Sequence, residues 1–452
     1  MDLFGTAGIR GSARSRVTPD LALTVGRAAG LHADTAEFVV GRDGRETGDA
    51  LEAAMAAGLE SAGVDVRLVG QVPTPALAWA SRGRHGVMLT ASHNPPADNG
   101  IKLFADGVEY GDAAETAIEA RVDDEELPVA WDAWGARERL DVIDDYRGAV
   151  VDYARGHGAP PDGLRIACDC GNGMAARAVP QTLRELGADV VALNANVDGH
   201  FSGRPSKPTP ETVRDLRAFV ADTDDVDVGL AHDGDADRIV VVDGDGEVVH
   251  EDTVLAVLAE HYTRASDVAD PMVVTTPNAS GRIDERVRAA GGRTERVRLG
   301  ALHEGIASAR DADGDVVFAA EPWKHIHTRF GGWIDGVASA AVLARLIADA
   351  GGLDALRDPV TERPYRKLSV ECPDDAKPAI MDALGDALPA AFPDADVSTE
   401  YGVRLTFPDD AWTLVRPSGT EPYVRLYAES EDVDALVDDV RTVVEDAIAD
   451  AT

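Results

Sequence analysis

Short apolar runs recur along the chain, each ending in a turn rich in Gly, Asp, Asn or Ser and leading into a segment of helical spacing. Glu37-Phe38-Val39-Val40 runs into Gly41-Arg42-Asp43-Gly44-Arg45-Glu46-Thr47-Gly48 and an Ala-rich stretch, and Val87-Met88-Leu89 runs into Thr90-Ala91-Ser92-His93-Asn94-Pro95. Leu164-Arg165-Ile166-Ala167 leads to Asp169-Cys170-Gly171-Asn172-Gly173 and a helix through about Leu186. Met272-Val273-Val274 leads to Thr275 through Gly281 and another helix. Strands of this kind, apolar without strict alternation and separated by helices, predict largely parallel sheets covered on both faces, with functional loops at the strand ends.

The tail follows a different pattern. After Pro364, strands are expected at Lys367-Leu368-Ser369-Val370, around Val403 to Phe407, at Trp412 to Val415 and at Tyr423 to Ala428, with a helix from Lys377 to about Phe392. Val433, Leu436, Val440, Val443, Val444 and Ile448 then fall at helical spacing. This reads as a small α+β domain. Polar or Pro-containing stretches at Asp123 to Leu127, Gly156 to Pro161 and Arg357 to Pro364 are the candidate linkers.

Length and composition bound the answer. With 452 residues, 44% hydrophobic and 27% charged, the chain is of ordinary globular composition and long enough for about three domains. No apolar run approaches the ~20 residues of a membrane-spanning helix and the start lacks a secretory pattern, so a cytoplasmic protein with no membrane partner is expected. Cys168, Cys170 and Cys372 are too few for a disulfide framework, and Cys168-Asp169-Cys170 reads as a buried strand end.

Charge changes the picture more. Asp plus Glu number 81 against 43 Lys plus Arg, a net charge of -38, and the lysines are only Lys102, Lys207, Lys324, Lys367 and Lys377. Such a surface repels nucleic acid and anionic lipid, whose recognition rests on Lys and Arg. The acids are spread along the whole chain, so a halophilic protein screened by a salty cytoplasm is expected.

Candidate chemistry sits in four places. His232-Asp233-Gly234-Asp235-Ala236-Asp237-Arg238 places three carboxylates at alternating positions, where a turn at Gly234 would let them converge on one hard divalent cation. A calcium loop is excluded, because its sixth and twelfth positions are here Arg238 and Gly244; an acidic surface turn is the bland alternative. Thr90 to Pro96 leads to Asn99-Gly100-Ile101-Lys102, offering Ser92 as a nucleophile or phosphate carrier, or merely a hydrogen-bonded loop serine. Arg416-Pro417-Ser418-Gly419-Thr420-Glu421-Pro422 has the donors to wrap a phosphate, or is a polar turn. Phe4 to Gly11 is a Gly-rich opening containing Arg10.

Taken together and in this order, the four segments resemble the alpha-D-phosphohexomutases, which move phosphate between C1 and C6 of a hexose. The resemblance covers essentially the whole chain. It implies three related α/β domains with mixed, largely parallel sheets plus a C-terminal α+β domain around a central cleft, at 1–148, 149–248, 249–360 and 361–452. It implies one Mg2+ per chain on Asp233, Asp235 and Asp237 with an oxygen of phosphorylated Ser92. Lys102 and His325 match positions for proton transfer or for positioning the transferring group, and Arg10 and Arg238 match active-site cations. Arg416, Ser418, Gly419, Thr420 and Arg425 would grip the phosphate that is not reacting. The family's sugar loop, Gly-Glu-x-Ser-Gly-His, appears here as Ala320-Glu321-Pro322-Trp323-Lys324-His325. Glu321 and His325 persist, Lys324 joins them as a candidate sugar contact, and the Ser and both Gly are gone. His327 and Trp333 are expected to pack the loop.

The implied activity interconverts hexose or hexosamine 6-phosphate and 1-phosphate through a phosphoserine and a bisphosphate, with glucosamine phosphate favoured by Phe4 to Gly11 and Asn99 to Lys102, and glucose or mannose phosphate as the alternative. An aspartyl-phosphate phosphatase with an Asp near 233 as nucleophile, and a non-catalytic sugar-phosphate-binding protein, are the competing classes.

Overall fold

The computed structural model describes residues 3–5, 8–124, 126–312, 314–418 and 422–451. They fall into two compact units: Met1–Val254 with Val317–Arg357, and Leu255–Val316 with Asp358–Thr452.

In the first unit one mixed sheet begins with the strand Ile9–Ser12, antiparallel to Asp98–Ala105, which is antiparallel to His85–Leu89. His85–Leu89 then runs parallel to Glu37–Arg42, which runs parallel to Asp65–Gln71. Phe38, Val39, Val40, Val87 and Leu89 are fully buried, as expected where helices cover both faces of a strand. The helix Pro19–His32 starts where Thr18 Oγ1 accepts from Leu21 N and proline occupies the first turn, which needs no donor there. It lies against Gly48–Ser61, joining one apolar core around Val25, Ala29, Leu51, Met55 and Leu59.

A second sheet in this unit orders the strands Val240–Val242, Val228–Ala231, Arg165–Asp169 and Asp189–Leu193, the first pair antiparallel and the rest parallel. Cys168 and Cys170 are buried at a strand end, as expected. Asp243 to Glu247 forms a hairpin turn, closed by Asp243 N donating to Glu247 O. The strand Asp315–Glu321 turns back antiparallel into Lys324–Ile326, beside the helix Gly336–Ala350.

In the second unit the parallel strands Pro271–Thr275 and Arg293–Arg296 are joined by the helix Gly281–Ala289, capped by Ser280. The tail is a five-stranded antiparallel sheet in the order Tyr365–Glu371, Tyr423–Glu429, Trp412–Pro417, Val403–Thr406, Asp396–Ser398. Its helices Lys377–Ala391 and Val433–Ala451 bury Ile380, Leu384, Leu388, Val433, Val437, Val440 and Val444 against it. The strand Asp396–Ser398 was not expected. It is a short exposed edge without apolar alternation.

Candidate functional site

The site in the first unit grows from two strand ends. Beyond His85–Leu89 the chain turns at Ser92, which adopts φ 49°, a left-handed conformation rare for a side-chain-bearing residue. Ser92 N donates to Thr90 Oγ1 at 2.9 Å, and that hydroxyl donates to Asp43 Oδ2 at 2.7 Å. Arg45, fully buried, completes the frame. Its Nε donates to Asp43 Oδ2 at 3.0 Å, Nη2 to Ser92 O and Asn94 O at 2.9 and 2.8 Å, and Nη1 to Pro95 O and Asp98 O at 2.6 and 2.9 Å. One guanidinium fork therefore holds four carbonyls of the serine turn, a planar five-donor task that a lysine cannot perform.

The second strand end is Val228–Ala231, followed by the acidic turn. His232 Nδ1 donates to Arg238 O at 2.8 Å, and Arg238 N donates to Asp233 Oδ1 at 3.2 Å, closing the loop on itself. Arg204 anchors it from outside, donating to Asp169 Oδ2 at 2.7 Å and His232 O at 2.6 Å. Thr74 fixes the middle, its N–H bonded to Asp235 O at 3.0 Å and its hydroxyl to Asp235 Oδ2 at 2.6 Å. A Cβ on Gly234 would lie 2.7 Å from Ser92 O, and one on Gly336 would lie 2.7 Å from Arg238 O. Glycine is therefore what lets the serine turn and the helix Gly336–Ala350 approach this loop.

The two turns meet. Ser92 Oγ donates to Asp233 Oδ2 at 2.7 Å and lies 3.4 Å from His93 Nδ1. Asp233, Asp235 and Asp237 are buried, with carboxylate oxygens within 4.8 Å of one another. Burial, reinforced by Asp237 and Asp235, pushes the Asp233 carboxyl well above the usual range. Burial also acts to raise Asp237, but Lys102 and Arg238 outweigh it and hold that carboxyl below the usual range. Asp235 Oδ1 and Asp237 Oδ1 are buried with no hydrogen-bond partner among the described residues. Converging hard oxygens with unused lone pairs fit a hard divalent cation such as Mg2+, which would also relieve their mutual repulsion.

Lys102 comes from the strand Asp98–Ala105. Its Nζ donates to Asp237 Oδ2 at 3.0 Å and lies 3.6 Å from both Asp235 Oδ2 and Glu109 Oε1. Burial alone would lower its pKa, but Asp237, Glu109 and Asp235 raise it above the ordinary lysine value. Lys102 is thus an ammonium, able to donate and not to accept. Arg238 Nε stands 3.6 Å from Asp233 Oδ2 and 3.8 Å from Asp237 Oδ1. Arg10 is paired in register with Gly100, and its Nε is buried with no partner among the described residues. Burial first, then the charges of Arg238 and Arg10, push His93 down to about 2.

The loop from Glu321 to His325 is stitched to the acidic turn. Ile239 N donates to Trp323 O at 3.2 Å, and Arg238 and Lys324 form an antiparallel bridge. Trp323 adopts φ 68° and its ring packs on the cluster of Val213, Leu216 and Val240. Lys324 Nζ donates to Glu321 Oε1 at 2.7 Å. His325 and His327 are buried, and Trp333 Nε1 donates to Asp335 Oδ2 at 2.9 Å, so His327 and Trp333 do pack this region.

The remaining expected residues stand in the second unit. Arg416 and Arg425 are cross-strand partners. Arg416 Nη2 donates to Tyr427 OH at 3.0 Å and Arg425 Nη2 to Tyr423 OH at 2.8 Å. Ser418 O accepts from Lys377 Nζ at 2.7 Å. Gly419 and Thr420 lie outside the described residues. Ser92, Lys102, Asp233, Asp235, Asp237 and Arg238 are thus brought together in one unit, and Arg416, Ser418 and Arg425 in the other.

Arg45, Asp43, Thr74, Arg204 and Lys377 were missed by the reading of the residues. The first two lie in the run Gly41 to Gly48, a turn after a strand that also looks like a family segment; the others carry no local signal.

Three domain families match the chain: phosphoglucomutase/phosphomannomutase, alpha/beta/alpha domain I over residues 1–128, alpha/beta/alpha domain II over 146–246, and the C-terminal domain over 368–447. A phosphopentomutase of Thermococcus kodakarensis is 40% identical over 436 residues, 95% of this chain and 94% of that protein. A probable phosphoglucosamine mutase of Methanopyrus kandleri is 41% identical over 462 residues, 98% of both chains. Among solved structures, a phosphoglucomutase/phosphomannomutase family protein of Burkholderia thailandensis superposes with a TM-score of 0.85 at 29% identity, covering 98% of this chain and 97% of that one.

Proposed function

The chain belongs to the phosphoglucomutase/phosphomannomutase family of alpha-D-phosphohexomutases, and from that premise we propose that it interconverts glucosamine 6-phosphate and 1-phosphate with Ser92 as phosphate carrier. The observation that carries this reading is Ser92 Oγ donating to Asp233 Oδ2 at 2.7 Å inside a buried triplet of carboxylates. Asp233, Asp235 and Asp237, with an oxygen of the phosphorylated serine, would hold Mg2+, which supplies charge neutralisation at the transferring phosphoryl group.

The chain's own residues do the rest. The Arg45 clamp and the left-handed turn point Ser92 Oγ at the acidic loop. Phosphoserine donates its phosphoryl group to the free sugar hydroxyl, so one P–O bond breaks as another forms. The bisphosphate reverses, and its other phosphate returns to Ser92. Lys102, Arg238 and Arg10 supply positive charge to the phosphoryl oxygens. His325 handles the sugar hydroxyl proton, and Glu321 and Lys324 contact the sugar. Arg416, Ser418, Gly419, Thr420 and Arg425 hold the distal phosphate. The proposed domains are 1–148, 149–248, 249–360 and 361–452, in a cytoplasmic protein.

A pentose phosphate is the second reading of the substrate. The Thermococcus relative named phosphopentomutase favours it, as does a sugar loop in which Trp323 and Lys324 replace the expected Ser and Gly. Turnover of glucosamine, glucose, mannose and ribose phosphates in high salt separates the candidates. Ser92→Ala should abolish mutase turnover on all of them while the protein stays folded, with Mg2+ still bound through the three carboxylates and weakened only by the missing serine ligand. Mutase activity retained in that variant refutes the carrier role, and net phosphate release from it would reassign the chemistry to an aspartyl phosphatase.

A further inference from the structure

Ser339, on the helix Gly336–Ala350, stands between two buried histidines. Its Oγ lies 3.0 Å from His325 Nδ1, 2.9 Å from His327 Nε2 and 2.8 Å from the carbonyl of Asp335. A carbonyl oxygen only accepts, so the single hydroxyl proton of Ser339 is committed to Asp335 O. Both imidazole nitrogens must then donate to the two lone pairs of Oγ. His325 accordingly carries its proton on Nδ1 and His327 on Nε2, and the capacity of the hydroxyl is full.

The anchor beneath this relay is rigid. The Asp335 carboxylate accepts from Tyr146 OH at 2.8 Å, Trp333 Nε1 at 2.9 Å and Ala338 N at 2.8 Å, while Asp335 N donates to His325 O at 2.8 Å. His325 sits against the Phe318 ring, 5.9 Å between centroids, and burial pushes its pKa down to about 3. The ring is neutral near pH 7, and its Nε2 is buried with no hydrogen-bond partner among the described residues. His325 Nε2 is therefore a buried, bare lone pair.

We propose that Ser339 is a positioning residue for the phosphoryl transfer, locking His325 in the Nδ1–H tautomer so that Nε2 accepts the proton of the attacking sugar hydroxyl. This rests on the reading of His325 given above. In the first transfer the P–Oγ bond of phosphoserine breaks and a phosphorus–sugar oxygen bond forms. The hydroxyl proton moves to Nε2, and Ser92 Oγ leaves with the bonding pair and takes a proton from water. In the return transfer Ser92 gives that proton back to water as it attacks, and Nε2 returns its proton to the sugar oxygen losing phosphate. The tautomer is set by the hydrogen bond of the other ring nitrogen, which is how neutral histidines are commonly oriented.

The test combines nitrogen NMR of the histidine rings with steady-state kinetics on the full chain in high salt with Mg2+. The expected spectrum has His325 protonated on Nδ1 and bare on Nε2 in the unmodified protein, and a mixture of tautomers in Ser339→Ala. That variant should lose about 10- to 100-fold in kcat with KM within about threefold, Ser339→Thr should recover most of the loss, and Ser339→Ala should cost nothing further in a His325→Gln background. A proton found on His325 Nε2 in the unmodified protein overturns the proposal, as does an unchanged kcat in Ser339→Ala beside a slow His325→Gln. A His325→Gln enzyme of full kcat would instead overturn the role given to His325, and the spectrum separates that failure from a wrong tautomer.

Discussion

Replacing Arg45 with alanine should damage stability modestly and turnover severely. The side chain is fully buried, bonded to Asp43 and to the carbonyls of Ser92, Asn94, Pro95 and Asp98, with Phe201 5.1 Å beneath its guanidinium. Removing one partner of a buried ion pair costs about 3–5 kcal/mol, because the other charge is stranded. Asp43 keeps the Thr90 hydroxyl and the Arg45 backbone N–H, and burial already raises its pKa, so protonation can relieve it. The lower figure, about 3 kcal/mol, is therefore expected. The unit that contains it has roughly 300 residues and an unfolding entropy of about 0.6 kcal/mol/K, so Tm should fall by about 5 °C.

Turnover responds to a separate quantity. Ser92 is held at φ 49°, a conformation that costs a non-glycine residue about 1–3 kcal/mol and persists only where its surroundings over-determine it. Without the clamp the serine relaxes toward ordinary backbone regions, and each 1.4 kcal/mol of that preference takes about tenfold from kcat. A loss of about 10- to 100-fold is expected well below Tm. Arg45→Lys should lose nearly as much, since one ammonium cannot serve four carbonyls. Calorimetry and kcat at saturating substrate measure the two effects. An Arg45→Ala protein that melts lower yet turns over at the original rate would refute the argument that this clamp sets the serine.

Two further expectations concern solution conditions. With a net charge of -38, Tm should climb steeply with KCl toward ~1 M, where the Debye length falls to ~3 Å; full stability in dilute buffer would contradict this. His93, His232 and His325 are pushed down to about 2, 4 and 3, each mainly by burial. Their folded pKa values lie below the unfolded ~6.5, so the unfolded chain binds more protons in between. The stability they contribute is complete above about pH 6.5 and is lost as pH falls, by at most about 1.4 kcal/mol per pH unit for each ring. Thermal melts between pH 7 and 5 should show that decline, and a flat Tm would mean that these rings are not buried neutral.

The proposed reacting groups were legible because Ser92, Asp233, Asp235 and Asp237 lie on turns directly after apolar strands, while Arg416 falls near the end of one. All sit in short runs whose composition suits the chemistry proposed for them. The framework around them was not legible, for a physical reason. Arg45 reaches Ser92 across 47 residues and Thr74 reaches Asp235 across 161, and both bind backbone groups that every residue possesses. Such contacts leave no compositional trace. The sugar loop shows the same division. Its departure from the family pattern was plain in Ala320, Trp323 and Lys324, but Trp323 turning onto the core and Lys324 pairing with Glu321 depend on packing against the acidic turn. Likewise Ser339 is an unremarkable letter in an Ala-rich helix until two imidazoles are found against it.

The charge of the body and the charge of the site pull in opposite directions, and the arrangement of ion pairs reconciles them. A bisphosphate carries two dianions; at ~6 Å they repel by about 11 kcal/mol at an effective dielectric of ~20. A chain of -38 offers no general relief, so cations must be held at the site itself, and two of its five lysines are there. Before substrate arrives, those cations need partners. Lys102 leans on Asp237, Asp235 and Glu109, Lys324 on Glu321, and Arg238 on Asp233 and Asp237. The carboxylates that would hold the metal therefore also store the positive charge that the phosphates need. Removing one of them would both weaken the metal site and strip a buried cation of one of its partners. Substitutions in the acidic triplet should accordingly cost folding stability as well as turnover, whereas Ser92→Ala, which removes no charge from the unphosphorylated protein, should cost turnover and only the ~1 kcal/mol of its one hydrogen bond to Asp233.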